Sequence, residues 1–312
     1  MGLFSMFRRE NILYFPGCTG NCKYPDGFKL YQDVFSKLGI KFFTLEAKDY
    51  VCCGLEVWEA GYDAEARRLA RRNFDMFYEG GYNKIITTSP ECYKMFVEDY
   101  PKILPEWNIE VINVWGLILK RIKKKHWLIK NKAMETVTFH DNCYLGRHLG
   151  IYDAPREILE AIGYEIKEMD NFKEDSFCCG SCGGLKFSNP ELADKIAKER
   201  VLQAKRIRAK KIIVIGFDNY DILKKNIGDS GIEVLELSEV LANALGIRMF
   251  EEKGISEEPI EGEEVILRVK DVDSFKKNIL VETKSNMRLR EELKEEDYYD
   301  GIDSEENWRD VG

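Results

Sequence analysis

The strongest constraint on the fold is a Cys-Cys-Gly triplet that occurs twice, at residues 52–54 and again at residues 178–180. A single cysteine precedes each triplet by a similar distance, Cys18 in the first half and Cys143 in the second. Directly adjacent cysteines rarely bridge to each other, because that geometry strains the disulfide. The repeat therefore predicts two related halves, each of which gathers several thiols at one site.

Short apolar segments alternate with helical patterns through both halves, and each cysteine motif follows such a segment or the loop after it. This alternation predicts a mostly parallel sheet that helices cover on both faces. In such sheets ligands bind beyond the carboxyl ends of the strands. We therefore predict an α/β fold of two tandem, pseudo-symmetric halves, with metal sites at the strand C-terminal ends. The predicted strands are residues 12–15, 41–45, 84–88 and 110–114, and then 136–141, 164–167, 211–215 and 233–237.

The length of 312 residues suits two domains flanked by shorter segments. We predict an N-terminal segment at 1–10, a first cysteine-rich domain at 11–126 and a second at 127–250. Residues 251–312 are rich in Glu, Asp and Lys, with one strand-like stretch at 265–269. Because the end of this extension is acidic and weakly apolar, we expect it to be partly disordered or ordered by a partner.

Composition limits the class of protein, its partners and its cellular compartment. Hydrophobic residues make up 44% of the chain and charged residues 33%, as in globular proteins, and the net charge of −8 argues against a nucleic-acid partner. No apolar run reaches the roughly 18 residues that span a bilayer, and the N-terminus lacks a signal-peptide pattern. We therefore expect a cytoplasmic protein without a membrane span. In that reducing compartment, nine cysteines are better interpreted as metal ligands or redox groups than as disulfides.

The thiols divide into two sets, one in each half. Iron–sulfur clusters need several thiolates from separate loops, and glycines beside them allow the backbone to approach closely. Four thiolates would also suit a structural zinc ion, so zinc stays an alternative in one half. A lone cysteine is more often a small buried hydrophobe, which is why Cys22 is either an extra ligand or a bystander. The candidate ligands are Cys18, Cys52, Cys53 and Cys92 in the first half, and Cys143, Cys178, Cys179 and Cys182 in the second.

These motifs resemble the cysteine-rich CCG domain, in two copies that together cover about residues 11–247. Tandem CCG domains are found in the B subunit of heterodisulfide reductase and in related iron–sulfur subunits of glycolate, lactate and glycerol-phosphate oxidising systems. The residues that carry the resemblance are Pro16-Gly17-Cys18, Cys52-Cys53-Gly54 and residues 89–93 in the first half, and residues 140–143, Arg147 and Cys178-Cys179-Gly180 in the second.

The resemblance implies cluster chemistry, but the sequence departs from the complete family motif. That motif supplies five cysteines, ends in a Cys-x-x-Cys pair and holds a noncubane [4Fe-4S] cluster that splits a disulfide. Here Ser89 replaces the first cysteine of the pair and leaves Cys92. In the second half the two positions fall at Gly216 and Asn219, while Cys182 is an additional cysteine. One or two cubane [4Fe-4S] clusters, each held by four thiolates, fit this inventory better.

Two further side chains are candidates for catalysis. His140 precedes Cys143 and could donate a hydrogen bond to a cluster or pass protons during thiol chemistry, or it could hold the loop in place. Arg147 could stabilise a negative cluster or an anionic substrate, or form a simple salt bridge.

We therefore predict a heterodisulfide-reductase-like iron–sulfur subunit of an oxidoreductase complex. Electrons would arrive from a ferredoxin-like iron–sulfur subunit or a flavoprotein, because this sequence has neither a ferredoxin cysteine run nor a flavin-binding pattern. They would pass through [4Fe-4S] clusters, either to a (hetero)disulfide or onward in pure electron transfer. The alternative from another class is a noncatalytic interaction scaffold with structural zinc or iron–sulfur sites.

Overall fold

The computed structural model describes residues 11–46, 49–50 and 52–248. The predictions for residues 1–10 and 251–312, including the strand-like stretch at 265–269, lie outside the described residues. In the ranges that are described, no helix is long and apolar enough to cross a membrane.

Strands and helices alternate through the first half in the predicted order. In chain order its elements are β1 (Ile12–Phe15), α1 (Cys18–Cys22), α2 (Pro25–Leu38), α3 (Leu55–Glu59), α4 (Asp63–Glu79), β2 (Lys84–Thr87), α5 (Pro90–Lys94), a π-helical turn (Met95–Asp99), α6 (Tyr100–Ile103), β3 (Glu110–Ile112) and α7 (Val114–Lys124).

The second half follows the same plan after a short 3₁₀ turn (His126–Leu128). Its elements are β4 (Thr136–Phe139), a π-helical turn (Tyr144–His148), α8 (Asp153–Ala161), β5 (Glu165–Ile166), a 3₁₀ turn (Lys173–Asp175), α9 (Leu185–Ser188), α10 (Pro190–Arg206), β6 (Lys211–Val214), α11 (Phe217–Lys225), β7 (Glu233–Glu236) and α12 (Leu237–Ala244).

The strands form two sheets, and every described strand pair is parallel. The first sheet has the order β1-β2-β3 and the second the order β5-β4-β6-β7. In the central strands β2 and β6 every residue after the first is buried, as expected where helices cover a parallel sheet. The predicted α/β fold with two parallel-sheet halves is confirmed.

The predicted strand at 41–45 is shorter than expected. It is reduced to a single parallel bridge between Phe43 and Leu13, in which Phe43 donates to Ile12 and accepts from Tyr14. At the next position the hydroxyl of Tyr50 accepts from the N–H of Leu45 and donates to the carbonyl of Tyr14, both at 3.0 Å, so a side chain replaces the backbone pairing there. The bridge nevertheless lies beside β1 as β5 lies beside β4, which preserves the repeat.

The two halves share one hydrophobic core around an approximate two-fold relation. Helix α2 of the first half packs on α12 of the second, and α8 of the second half packs on α7 of the first. Because α2 and α8 follow the equivalent strands β1 and β4, the two contacts are equivalent. Buried members of this core from both halves are Tyr14, Tyr31, Trp115, Val137, Ile158 and Leu241.

One close contact between the halves is made by a ring against a glycine. Phe217, at the start of α11, stacks on Tyr24 with ring centroids 5.1 Å apart. A Cβ atom at Gly27 in α2 would lie 2.3 Å from Cζ of Phe217. Only a residue without a side chain allows α2 and α11 to meet at this distance.

Replacing Gly27 by Ala should displace the Phe217 ring and lower the free energy of unfolding by about 1–3 kcal/mol, since an added methyl group overfills a packed contact. Urea unfolding followed by circular dichroism measures the effect. Gly116→Ala in α7 is the matched control, because its Cβ would meet no atom closer than 3.6 Å. An unfolding free energy of Gly27→Ala equal to that of the control would contradict this account.

A buried carboxyl group also joins the two halves. The Glu236 side chain accepts hydrogen bonds from the hydroxyl of Tyr31 (2.8 Å), from the backbone of Gly216 (3.2 Å) and from Ser238. Burial raises the pKa of Glu236 to about 7, against the opposing effect of these hydrogen bonds. Between about pH 4.5 and pH 7 the folded protein thus retains a proton that the unfolded chain has lost.

The contribution of Glu236 to folding should therefore decline as the pH rises through this window, by about 3 kcal/mol for a full shift of this size. Glu236→Gln cannot ionise, so its unfolding free energy should fall less between pH 5 and pH 8 than that of the unaltered protein. Denaturant unfolding at both pH values measures the difference. Glu233→Gln, at an exposed position on the same strand, should leave the pH dependence unchanged.

Candidate metal centres

Four thiols of the first half converge from three separate loops. Cys18 follows β1, Cys52 and Cys53 precede α3, and Cys92 lies in α5 after β2. The Sγ atoms of Cys92 and Cys53 are 3.3 Å apart, and the Cys52 thiol forms hydrogen bonds with those of Cys18 and Cys53. The structure therefore brings together the whole set of four that the sequence predicted for this half.

Glycines shape the first set by adopting backbone angles that other residues avoid. Gly17 has φ +80°, and a Cβ there would lie 2.9 Å from Cβ of Ser89 and 3.4 Å from Sγ of Cys92. Gly54 has φ +90°, and its backbone N–H donates to Sγ of Cys52 at 3.4 Å. These two positions require glycine, because the chain must turn tightly and approach the thiols closely.

The second half gathers four thiols from two segments, Cys143 after β4 and the other three in the loop before α9. The Sγ atoms of Cys143 and Cys182 are 3.0 Å apart, Cys178 forms hydrogen bonds with Cys143 and Cys179, and Cys182 contacts Cys179. Gly180, with φ +87°, donates its N–H to Sγ of Cys178 at 3.3 Å, as its counterpart does in the first half. The second predicted set is thus also brought together.

The fourth position of each set shows how the repeat has diverged. In the first set Cys92 lies beside Cys53, whereas in the second the aligned residue Asn219 lies beside Cys179. The Oδ1 atom of Asn219 accepts from Sγ of Cys179 at 3.5 Å and from Oγ of Ser181 at 2.9 Å. Asn219 therefore occupies the place of a thiol, and a fourth thiol comes from a different loop.

Cys22 has a different position from the other eight cysteines. It ends α1 and is exposed, and in the described part of the chain it does not line the pocket that the other four thiols of its half share. Its role as an extra ligand stays a prediction.

A pocket at the first set is lined by residues of both halves. From the second half, the Lys186 ammonium enters it and lies 2.5 Å from Oδ1 of Asp218 and 3.4 Å from Oε1 of Glu56. Tyr144 donates from its hydroxyl to Oε2 of Glu59 at 2.6 Å and accepts from the N–H of Gly183 at 3.3 Å. Other lining residues are Cys18, Cys52, Cys53, Cys92 and Cys182, together with Ser89, Glu91, Ser181 and Phe217.

Hydrogen bonding makes one thiol of the second set the most acidic. Donation from Cys143, followed by that from Cys179, lowers the pKa of Cys178 well below its ordinary value, and the N–H of Gly180 adds to the effect. The hydrogen bond that Cys143 donates to Cys178 raises the pKa of Cys143, and hydrogen bonds with Cys143 and Cys179 raise that of Cys182. Among the four thiols of this set, Cys178 is the one whose pKa is lowered.

The two candidate catalytic residues hold the loops around the second set. His140 is buried, and its Nδ1 accepts from Nε of Arg200 at 3.0 Å. Burial, and then the Arg200 charge, lower the pKa of His140 to about 3, so the imidazole is neutral. Arg147 donates to the carbonyl of Ser176 at 2.5 Å, just before the Cys178 loop. A catalytic role for either residue stays a prediction.

Sequence reasoning missed Arg200 of α10, which is fully buried behind the second set. A charged residue in a helix with many Lys, Arg and Glu residues is ordinarily exposed, so its local sequence carried no signal. Its contact with the ring of His140 is visible only once α10 is placed against β4.

The donor chemistry of the two sets fits iron–sulfur clusters. Each set consists of four thiols in mutual contact, with a glycine N–H directed at a sulfur atom, and such sulfur-only sets with backbone donors suit clusters. Within the described ranges, no group of three or more His, Cys, Asp or Glu side chains has an arrangement that could hold a single metal ion.

Comparison with known proteins agrees with the repeat. The cysteine-rich domain family CCG matches residues 12–97 and 137–216. Among curated relatives, the D subunit of the dihydromethanophenazine:CoB–CoM heterodisulfide reductase of Methanosarcina barkeri is 33% identical over 250 residues, which are 77% of this chain and 60% of that protein. The EtfAB:quinone oxidoreductase of Syntrophomonas wolfei is 31% identical, over 62% of this chain and 27% of that protein.

A third relative matches nearly over its full length. Lactate utilization protein A 2 of Bacillus cereus is 25% identical over 75% of this chain and 98% of that protein. By contrast, this chain spans only 60% of the length of the heterodisulfide reductase protein. Since the two family matches together cover more than half of its residues, the chain belongs to the CCG cysteine-rich domain family, of which it carries two tandem copies.

Proposed function

We propose that this chain is an iron–sulfur subunit of an oxidoreductase complex and that each half holds a [4Fe-4S] cluster. The observation that carries the proposal is the convergence of eight thiols into two sets of four at equivalent strand ends. The family relatives support it, because they include subunits of oxidoreductases that are named for electron-transfer reactions.

The first set, Cys18, Cys52, Cys53 and Cys92, and the second set, Cys143, Cys178, Cys179 and Cys182, are the proposed ligands. When bound, a cluster supplies one-electron redox chemistry. The thiols would hold it, and the N–H groups of Gly54 and Gly180 would each keep a hydrogen bond to a ligating sulfur. Buried Cys53, Cys92 and Cys179 would limit the access of water.

The two centres are close enough to act together. Cys53 and Cys92 of the first set belong to the same hydrophobic cluster as Tyr144, and Cys143 and Cys182 of the second set pack against that cluster. Electron transfer between neighbouring clusters needs only such proximity and no bond making. We therefore propose that electrons pass between the two centres.

Partner proteins would donate the electrons. The electrons would then pass on to another carrier or, as the second candidate, reduce a disulfide. Relatives named as one subunit of a reductase, or as an oxidoreductase of EtfAB and quinone, favour an iron–sulfur or flavoprotein donor. Ser89 and Asn219 at the positions of the missing ligands favour pure electron transfer. The pocket at the first set favours disulfide reduction instead, because the exposed Cys18 lines it and could be reached by a substrate.

Protein purified without oxygen should contain about four iron and four acid-labile sulfide ions per centre and should give an EPR signal on reduction. Metal analysis and EPR of the same sample measure this. Zinc alone, without visible absorption or an EPR signal, would contradict the proposal and favour the structural scaffold.

Replacing one ligand in each half should remove one centre at a time. Cys53→Ala should lose the first centre and Cys179→Ala the second, so each variant should retain about half of the iron of the unaltered protein. Cys22→Ala tests the ninth cysteine, since full retention of iron would exclude Cys22 as a ligand, whereas loss of the first centre would make it one. Loss of both centres, or of neither, in the first two variants would contradict two independent sites.

A further inference from the structure

The two thiol sets have equal numbers of ligands but unequal electrostatic surroundings. We infer that the second centre has the higher reduction potential, set by Arg200 and Asn219, so that an electron given to the pair resides on the second centre. This inference rests on the proposed function, because it requires a cluster in each half.

Arg200 places a buried positive charge beside the second set. None of its side chain is exposed, and its hydrogen-bond partners are all neutral groups. Among the described residues it forms no ion pair within 4 Å. Burial lowers the pKa of the Arg200 guanidinium to about 10. The partners are Nδ1 of His140 (3.0 Å), the carbonyl of Asn171 (2.8 Å), Oε1 of Gln203 (2.7 Å) and Oγ of Ser176 (3.2 Å).

The nearest carboxylates are engaged by a different arginine. Asp141 binds Arg156 at 2.7 and 2.9 Å, and Glu168 binds it at 2.6 and 3.1 Å. These carboxylates act on Arg200 only through longer-range attraction, as does Cys179. A buried charge without a direct partner is costly, so an anionic centre at Cys179 would supply the counter-charge that Arg200 lacks.

Asn219 offers a hydrogen bond that the first set does not have. Its side chain is fully buried, and its Nδ2 has no hydrogen-bond partner in the part of the chain that is described. As a thiol, Cys179 donates to Oδ1 of Asn219, but a ligating thiolate can only accept. A half-turn of the amide would then direct the unpaired N–H at Cys179. At the equivalent place the first set has Cys92, which is a ligand and not a donor.

The first set faces a surplus of negative charge. Glu56 and Asp218 both line its pocket, and Lys186, the one cation among the lining residues, pairs with both of them. The charges of Asp218 and Glu56 act directly on Cys18. Reduction adds one negative charge to a centre, so these carboxylates disfavour it at the first set, whereas Arg200 and an amide N–H favour it at the second.

The electron balance is simple. One electron from an added reductant such as dithionite should reduce the second centre, and a further electron at lower potential should reduce the first. No bond forms or breaks in either step.

An anaerobic dithionite titration followed by EPR tests the inference. Cys53→Ala retains only the second centre and Cys179→Ala only the first, so these variants assign the two midpoints that the unaltered protein shows. The midpoint assigned to the second centre should be the higher. Iron and sulfide content is measured first. If neither half contains iron, the proposed function fails, whereas equal midpoints in fully loaded protein, or a higher first midpoint, would overturn the inference alone.

Variants at the two residues test the cause. Arg200→Gln should lower the second midpoint by at least 59 mV, a tenfold change in the reduction equilibrium, and leave the first unchanged. Arg200→Lys keeps the charge, so its second midpoint should stay near that of the unaltered protein. Arg206→Gln, exposed on the same helix, should shift neither midpoint.

Asn219→Ala should also lower the second midpoint, with Arg200 intact, and it tests the inference if Arg200→Gln does not fold. A second midpoint that moves in neither variant would exclude these residues as its cause.

Discussion

Parallel strand pairing is the constraint on which both thiol sets depend. In the first half Phe15 of β1 pairs with Thr87 of β2, so the two strands end at the same edge of the sheet. The chain then continues directly into Cys18 on one side and Cys92 on the other. The pairing of β4 with β6 repeats this arrangement in the second half. A slip of one residue would turn the strand faces over and separate the thiols, so the buried faces of the sheet also fix the positions of the thiol sets.

Packing between the halves then brings the two edges together. Since α2 packs on α12 and α8 on α7, the halves are locked by two equivalent helix pairs that continue one hydrophobic core. Tyr144, which follows the second-half Cys143, packs with the thiols of the first half and binds Glu59. The same core that stabilises the fold thus sets the spacing of the two thiol sets.

The repeated motifs and the alternation of apolar and helical segments were enough to predict two parallel-sheet halves and the two groups of four thiols that come together. The sequence pattern overestimated the length of the strand at 41–45, because only Phe43 pairs with β1. It could not find Arg200, whose burial results from the placement of α10 and not from its neighbours in sequence. Asn219 was recognised as a missing ligand, but its hydrogen bonds depend on the tertiary structure.

The loss of cysteines from the second half has a steric side as well as an electrostatic one. Gly216 stands where the first half has Ser89, and a Cβ at Gly216 would lie 2.9 Å from Cδ of Pro90. Its φ of +92° is also unsuited to other residues. A cysteine at Gly216 would therefore push against the first half at the start of α5, the helix that carries Cys92. The contact between the halves thus disfavours a cysteine at Gly216, and with Asn219 at the other position of the pair the second set takes its fourth thiol, Cys182, from the loop before α9.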